Sequence, residues 1–375
     1  MKRAMQHWLP LVAFILALLT AWPRLLPGDA MRFKIASVAG TVAAQPSQST
    51  QLLNNPQPSA HAATLTELAD GRIAAAWFAG SEEGARDVAI YFSTFDGARW
   101  QPPAPIVSRA QVQSDTGRLV RKLGNPVLAT DWQGHIHLWF VSVGYGGWAG
   151  SSINHSVSAD AGRTWSPAVK MITSPFWNVS TLVRTPPLAL DNGHSGGWGL
   201  PAYHEFAAKR SEWLQLDAHG NVRDKVRIPA SQQTLQPAVV ALDPRRAIAM
   251  MRDTGPANRI RLATTSNGGR NWDAAHPTSL PNPNASVALL RMQDGRILLA
   301  YNPQTANRDK LALSISGDEG ANWGPPKLVE DSAGGEFSYP VLLQARDGTV
   351  HLAYTWQRRD IKHMAFAPNA LEAGK

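Results

Sequence analysis

The chain repeats itself, and that limits its folds more than any other feature. Six times an Asp-Gly-type turn precedes an apolar or alternating run. The turns are Asp70-Gly71, Asp131-Trp-Gln-Gly134, Asp191-Asn-Gly193, Asp243-Pro244, Asp294-Gly295 and Asp347-Gly348, spaced 61, 60, 52, 51 and 53 residues apart. Short apolar runs such as Pro126-Val-Leu-Ala129 and Pro340-Val-Leu-Leu343 lead into them. Apolar run, tight turn, apolar run is a β-hairpin signal. A second marker lies in the other half of the repeat. Ser158-Ala-Asp160-Ala-Gly162-Arg-Thr-Trp165 and Ser316-Gly-Asp318-Glu-Gly320-Ala-Asn-Trp323 share Ser-x-Asp-x-Gly-x-x-Trp. Thr265 to Trp272 fits with two conservative changes, Ser93 to Trp100 is degenerate, and Leu216 to Gly220 is a worn copy. In such a box the Asp or Asn bonds nearby backbone N–H groups, Gly takes positive φ and Trp packs under the turn.

Six units of 50–60 residues with about four strands each predict an all-β, six-bladed β-propeller, because one unit cannot bury its own faces and a ring of them can. A length of 375 residues taken alone suggests roughly two to three domains. The repeat instead makes residues 55–367 one domain. Residues 31–54, rich in Gln, Ser, Pro and Asn toward their end, read as a linker, and 368–375 as a tail. The inserts 104–122 and 144–150 read as loops around the rim or mouth. A β-sandwich would not explain the regular repeat.

Composition narrows the chemistry. With 44% hydrophobic and 17% charged residues, the chain is not disordered. The absence of Cys excludes a disulfide framework, a thiolate metal site and a cysteine nucleophile. No phosphate loop or His-Glu-x-x-His is present, so neither a cofactor nor a metal is expected. Positive charge is scattered, with no nucleic-acid module. The net charge of +8 suits an acidic partner better. Lys2 and Arg3 precede an apolar run from Trp8 to Trp22, of signal-peptide length and short for a full span. Residues 1–30 therefore read as an export signal or anchor, giving a periplasmic or extracellular monomer with a possible membrane tether. Gly193-His-Ser195-Gly-Gly197 matches a hydrolase elbow, but it falls in a hairpin turn and lacks the strand–turn–helix context that motif needs.

The repeated boxes resemble the Asp-box, or neuraminidase repeat, of the sialidase superfamily. Gly80-Ser-Glu-Glu83-Gly84, Leu280-Pro-Asn-Pro-Asn284, Ser338-Tyr339-Pro340 and Tyr354 to His363 are similar to one bacterial branch of it. The resemblance covers the chain after the linker. It implies a glycoside hydrolase of exo-alpha-sialidase type that takes a terminal acidic sugar from a glycan. Such an enzyme holds the substrate carboxylate with three Arg, attacks with a Tyr and uses an acidic residue as acid/base. A phenol meets less repulsion than a carboxylate when it attacks a carbon that bears a carboxylate, and guanidinium groups grip a carboxylate bidentately.

Carried over residue by residue, the resemblance makes Tyr339 the nucleophile and Arg252 and Arg308 carboxylate binders. Glu83 becomes the acid/base, with Asp87 behind it. Asn125 and Asn284 are placed to bond sugar hydroxyls, and Trp148 to stack on a ring. The chain departs from the family in two places. His61 stands where the first Arg belongs, and Gln236 where the Glu that activates Tyr belongs. Gln takes no proton, so Glu205 is the substitute base. The departures leave open an unusual acidic sugar, a lyase acting on a uronate, a non-catalytic glycan-binding propeller or a protein-interaction propeller.

Overall fold

Each Asp-Gly turn joins two antiparallel strands, and each pair grows into a blade. In the computed structural model, which describes residues 12, 14–15, 31–35, 48–174, 180–193 and 196–371, six antiparallel sheets form a six-bladed β-propeller. The innermost strands are Ser59–Glu67, Lys122–Thr130, Thr181–Val183 continued by Leu188–Asp191, Thr234–Ala241, Ala288–Arg291 and Phe337–Gln344 for blades 1 to 6. They neighbour one another around the axis. All six Asp-Gly-type turns join an innermost strand to the second strand of its blade. The turns thus lie at one end of the ring and the starts of the inner strands at the other. His194, Ser195, most of residues 1–30 and residues 372–375 lie outside the described residues. Among the described residues no helix is long and apolar enough to cross a membrane.

The core is a set of wedges between neighbouring blades. Phe78, Ile90, Leu138 and Phe140 fill the wedge between blades 1 and 2. Trp139 and Trp198 meet between blades 2 and 3, and Trp213 packs with Met251 between blades 3 and 4. Strands buried on both faces carry near-continuous apolar runs, as Ile73–Gly80 does.

The box turns lock one blade to the one before. In blades 2, 4 and 5 the backbone N–H of Gly162, Gly269 and Gly320 donates to the Ser or Thr hydroxyl four residues back. The Asp or Asn accepts from the N–H of Thr164, Asn271 or Asn322. The glycine then faces the preceding blade. A Cβ on Gly162 would lie 2.4 Å from Phe92 of blade 1, and one on Gly269 2.6 Å from Trp213 of blade 3. Even the degenerate box of blade 1 docks this way, with Trp100 Nε1 donating to His363 Nδ1 of blade 6 at 3.2 Å.

Two expectations need correction. Residues 31–54 are not simply a linker. Ser49–Leu52 is the outer strand of blade 6, paired with Asp360–Phe366, so both ends of the domain share one sheet. Arg32–Phe33 pairs with Leu190–Asp191 of blade 3, and Phe33 is buried against Trp213. An outer strand packs on one side only, so its sequence can be polar and alternating and reads like a linker. The 104–122 insert likewise is not all loop: Ala104–Val107 is the outer strand of blade 1, and Arg109–Thr116 is a helix N-capped by Ser108 and stopped by left-handed Gly117.

Two imidazole pairs are packed among these aromatics. His137 Nδ1 and His155 Nε2 are 3.0 Å apart in blade 2, and His351 Nδ1 and His363 Nε2 are 2.9 Å apart in blade 6. Burial, with the neighbouring imidazole adding to it, pushes His155 and His363 down to about 3. Burial pushes His351 down to about 4. An unfolded histidine titrates near 6.5. Between about pH 6.5 and the folded values the unfolded chain therefore takes up protons that the native ring refuses.

Two outcomes are expected. Thermal melts should show Tm flat above pH 7 and falling steadily from pH 6.5 to pH 4, each histidine removing about 1.4 kcal/mol per pH unit across its window. His363→Gln should flatten that slope. Gly162→Ala, which puts a Cβ on a φ of 89° against Phe92, should cost at least about 1–2 kcal/mol in denaturant melts. Gly97→Ala, where a Cβ meets nothing within 4 Å, should cost only the backbone part of that.

Candidate active site

The site is built on a backbone irregularity shared by most of the inner strands. Four of them break register near their start, between His61 and Thr64, Gly124 and Val127, Leu235 and Ala238, and Ser338 and Val341. At each break one residue takes a left-handed backbone: Ala62 (φ 56°), Asn125 (47°), Gln236 (52°) and Tyr339 (53°). Asn284 does the same just before the inner strand of blade 5, at φ 54°. A left-handed non-glycine residue costs on the order of 1–2 kcal/mol. Repeated around one end of the channel, these turns aim a ring of polar side chains at the axis.

Tyr339 stands near the centre. The guanidinium carbon of Arg308 is 5.7 Å from its ring centroid, and that of Arg184 is 5.4 Å away. His61 meets the ring edge-on at 5.5 Å and stacks on Phe78 behind. Arg308 donates to the Asn284 carbonyl at 2.6 Å and to Glu336 at 3.4 Å. Arg252 donates to Asn284 Oδ1 at 2.6 Å and to Gln236 Oε1 at 3.2 Å. Among the described residues Arg252 forms no ion pair within 4.0 Å. Asn284 thus bridges the two expected carboxylate binders, and Gln236 holds the second of them.

The remaining candidates fall into place differently. Glu83 Oε2 lies 3.3 Å from Arg358 Nη1 and 3.5 Å from His61 Nε2, at the edge of the site. Asp87 spends its carboxylate on the Ser81 N–H and hydroxyl, both at 2.9 Å, and so pins the loop that carries Glu83. Asn125 donates to the hydroxyl of buried Tyr203 at 3.0 Å. Trp148 lies half-buried against Gly124, which has no Cβ to obstruct it: one would fall 3.0 Å from the indole. Burial raises the Glu205 carboxyl, while Lys209 and Arg252 pull it back. Glu205 therefore lies on the Arg252 side of the site.

His61 does not take over the missing arginine's work. Burial, with the charge of Arg358 next, lowers its imidazole to about 3, so it is neutral at physiological pH and serves as a wall for Tyr339. The cation over that corner is Arg358, from the turn between the second and third strands of blade 6. It donates to Glu336 at 2.7 Å. Burial alone would raise the Glu336 carboxyl, but hydrogen bonding and charge from Arg358 and Arg308 hold it below the usual range.

Arg184, Arg358, Glu336 and Tyr203 were not singled out from the sequence. Arg358 lies inside the Tyr354–His363 stretch, and Glu336 lies three residues before Tyr339. Arg184 precedes Thr-Pro-Pro, an offset form of the Asn-Pro, Gln-Pro and Tyr-Pro steps that mark three of the bulges. Among the described residues no group of three His, Asp or Glu is arranged to hold a metal. A cavity of about 440 Å³ is distinct from this site. It runs down the channel toward the Asp-Gly turns, starts at Thr185 and Pro340, and is lined mainly by inner-strand apolar side chains.

Known structures share this ring. The Hadza microbial sialidase Hz136 superposes with a TM-score of 0.70 at 18% identity, over 84% of this chain and 66% of that one. The chain thus spans just under two thirds of that protein. A protein of unknown function from Dyadobacter fermentans gives 0.69 at 14% identity, over 86% and 98% of the two chains. The intramolecular trans-sialidase from Ruminococcus gnavus gives 0.67 at 15% identity, over 87% and 98%. At such identities the likeness shows the fold. No curated protein matches the chain in sequence. The profile of the BNR repeat-like domain matches residues 71–352. That is most of the ring, with all five box turns inside it, and the chain belongs to the BNR repeat-like domain family.

Proposed function

We propose that the protein is an exo-glycosidase of sialidase type that releases a terminal acidic sugar from a glycan. One observation carries this reading: Asn284 bridges Arg252 and Arg308, and the Arg308 guanidinium lies over the Tyr339 ring. Among the described residues Arg252 hydrogen-bonds through Nε and Nη1 to two amide side chains, which leaves part of its fork for a carboxylate from outside. Four arginines, 184, 252, 308 and 358, face Glu83, Glu336 and Glu205, which leaves the site net positive and suited to an anion.

In this mechanism Arg252 and Arg308, with Arg358 at the His61 corner, hold the sugar carboxylate. Tyr339, its phenol proton given up to solvent, forms a bond through Oη to the anomeric carbon while the glycosidic C–O bond breaks. The leaving oxygen takes a proton from Glu83. Water then attacks the same carbon, gives its proton to Glu83 and releases Tyr339 as a phenolate. Asn125 and Trp148 serve the rest of the sugar. Export through residues 1–30, which would bring the ring to extracellular glycans, belongs to the same proposal.

A second reading has support of its own. Gln236 fills the place of an activating Glu and is engaged by Arg252, as a glycan-binding propeller without turnover would allow. A panel of fluorogenic acidic glycosides, a sialoside among them, separates the two. The glycosidase reading expects release that falls about a thousandfold or more in Tyr339→Phe with ligand still bound. Release from no substrate, together with calorimetric binding that Tyr339→Phe leaves unchanged, selects the binding propeller. Arg252→Lys should raise KM about 10- to 100-fold, the worth of a lost charge-assisted fork, with kcat changed far less. An unchanged KM would remove Arg252 from the carboxylate site.

A further inference from the structure

Beneath Tyr339 lies a charge without a counter-ion. Arg184, from the interruption in the blade 3 inner strand, is 1% exposed. It crosses the channel to donate to the carbonyls of Ala63 in blade 1, at 3.2 Å, and of Tyr339 in blade 6, at 2.5 Å. Its Nε has no partner, and no carboxylate among the described residues pairs with it. A buried cation compensated only by carbonyl dipoles is costly. Burial pulls this guanidinium down to about 10, and the groups that push it back up are the phenols of Tyr339 and Tyr203.

The other groups around Tyr339 are already balanced or neutral. Arg308 and Arg358 share Glu336, Arg358 also meets Glu83, and His61 is uncharged. Tyr203 is buried, which disfavours its ionisation. Arg252 hydrogen-bonds to Asn284 and Gln236 and makes no cation–π contact with the Tyr339 ring, unlike Arg308 and Arg184, so among the described residues it is not the cation beneath that ring. Position 236, where a base for the phenol would stand, holds an amide.

We infer that Arg184 is a positioning residue that fixes the left-handed turn of Tyr339 through its carbonyl and acts as the built-in counter-charge for the Tyr339 oxygen when that oxygen is anionic. The inference rests on the reading of Tyr339 as nucleophile and says how this chain manages without a carboxylate at 236. The phenol proton passes to solvent water or hydroxide rather than to a neighbouring side chain. The resulting phenolate, whose ring lies 5.4 Å from the Arg184 guanidinium carbon, attacks the anomeric carbon as the glycosidic electron pair leaves with the proton of Glu83.

The test needs no substrate. Tetranitromethane nitrates phenolates, and peptide mass spectrometry reads each tyrosine separately. Tyr145, 70% exposed, serves as internal reference in full-length wild type, Arg184→Gln, Arg184→Met and Arg184→Lys at one pH near 8. The ratio of Tyr339 to Tyr145 nitration is expected to fall about tenfold in the neutral variants and to recover most of that in Arg184→Lys, which keeps the charge. Arg184→Gln retains a donor for one carbonyl, so either neutral variant that folds decides the point. An unchanged ratio in a folded neutral variant, with only Tm lowered, overturns the inference and leaves Arg184 a structural strut. Where a substrate is turned over, kcat should follow the nitration ratio across the variants while KM stays within about threefold. A ratio that falls in a protein that hydrolyses nothing keeps the role of Arg184 and removes the glycosidase reading.

Discussion

Six twisted blades make a ring only if the last can hold the first, and here four residues do it. Ser49–Leu52 hydrogen-bonds to Asp360–Phe366, so blade 6 is made from both ends of the domain. Without that pairing the third strand of blade 6 would be an open edge, and the wedge between blades 6 and 1, where Trp77 and Tyr91 lie beside Val341 and Ala353, would lose the strand that covers its outer side. The box turns extend the same logic around the circle, each reaching back to the blade before it. Because the core is divided into wedges, no single interface carries the fold, and stability is shared among several contacts of similar size.

Closure also gives the site its precision. The inner strands have little freedom once the ring is shut, so their left-handed turns are held in a conformation an isolated hairpin would relax. Strain of this kind persists where the surroundings over-determine it. What results is a set of short polar side chains at one level of a narrow channel, with Tyr339, Gln236, Asn125 and Asn284 at equivalent stations in different blades. Arg252 and Arg308, from the second strand of blade 4 and just ahead of the third strand of blade 5, lean in from one side.

Much of this was legible in the sequence, and the reason is periodicity. A turn signal at regular spacing reports both the hairpin and the blade, so the six blades and the position of every Asp-Gly-type turn could be read without knowing any contact. Tyr339, Arg252 and Arg308 were legible through family resemblance; Arg308 lies over the Tyr339 ring, and Asn284 links it to Arg252. What stayed hidden depends on distance across the ring. Nothing in the neighbourhood of Arg184 announces that its guanidinium ends at carbonyls of blades 1 and 6. Arg358 pairs with Glu83 of blade 1 and Glu336 of blade 6, which no local pattern encodes. His61 stood out by position, yet its lack of charge follows from burial that only packing reveals. The closing strand was missed because an edge strand asks little of its sequence.

The short strand Arg32–Phe33 gives the ring a front and a back. It lies inside the inner strand of blade 3, paired at Leu190–Asp191 next to the Asp191–Gly193 turn, and Met31 lies against Gly268 of blade 4. Those turns are at the end of the channel opposite Tyr339. The chain upstream of Met31 therefore joins the ring on its back, whereas the arginines open to the front. A bead, a fusion partner or a surface attached through that upstream chain meets the back of the ring and leaves the front turned outward, toward ligands too large to enter a channel.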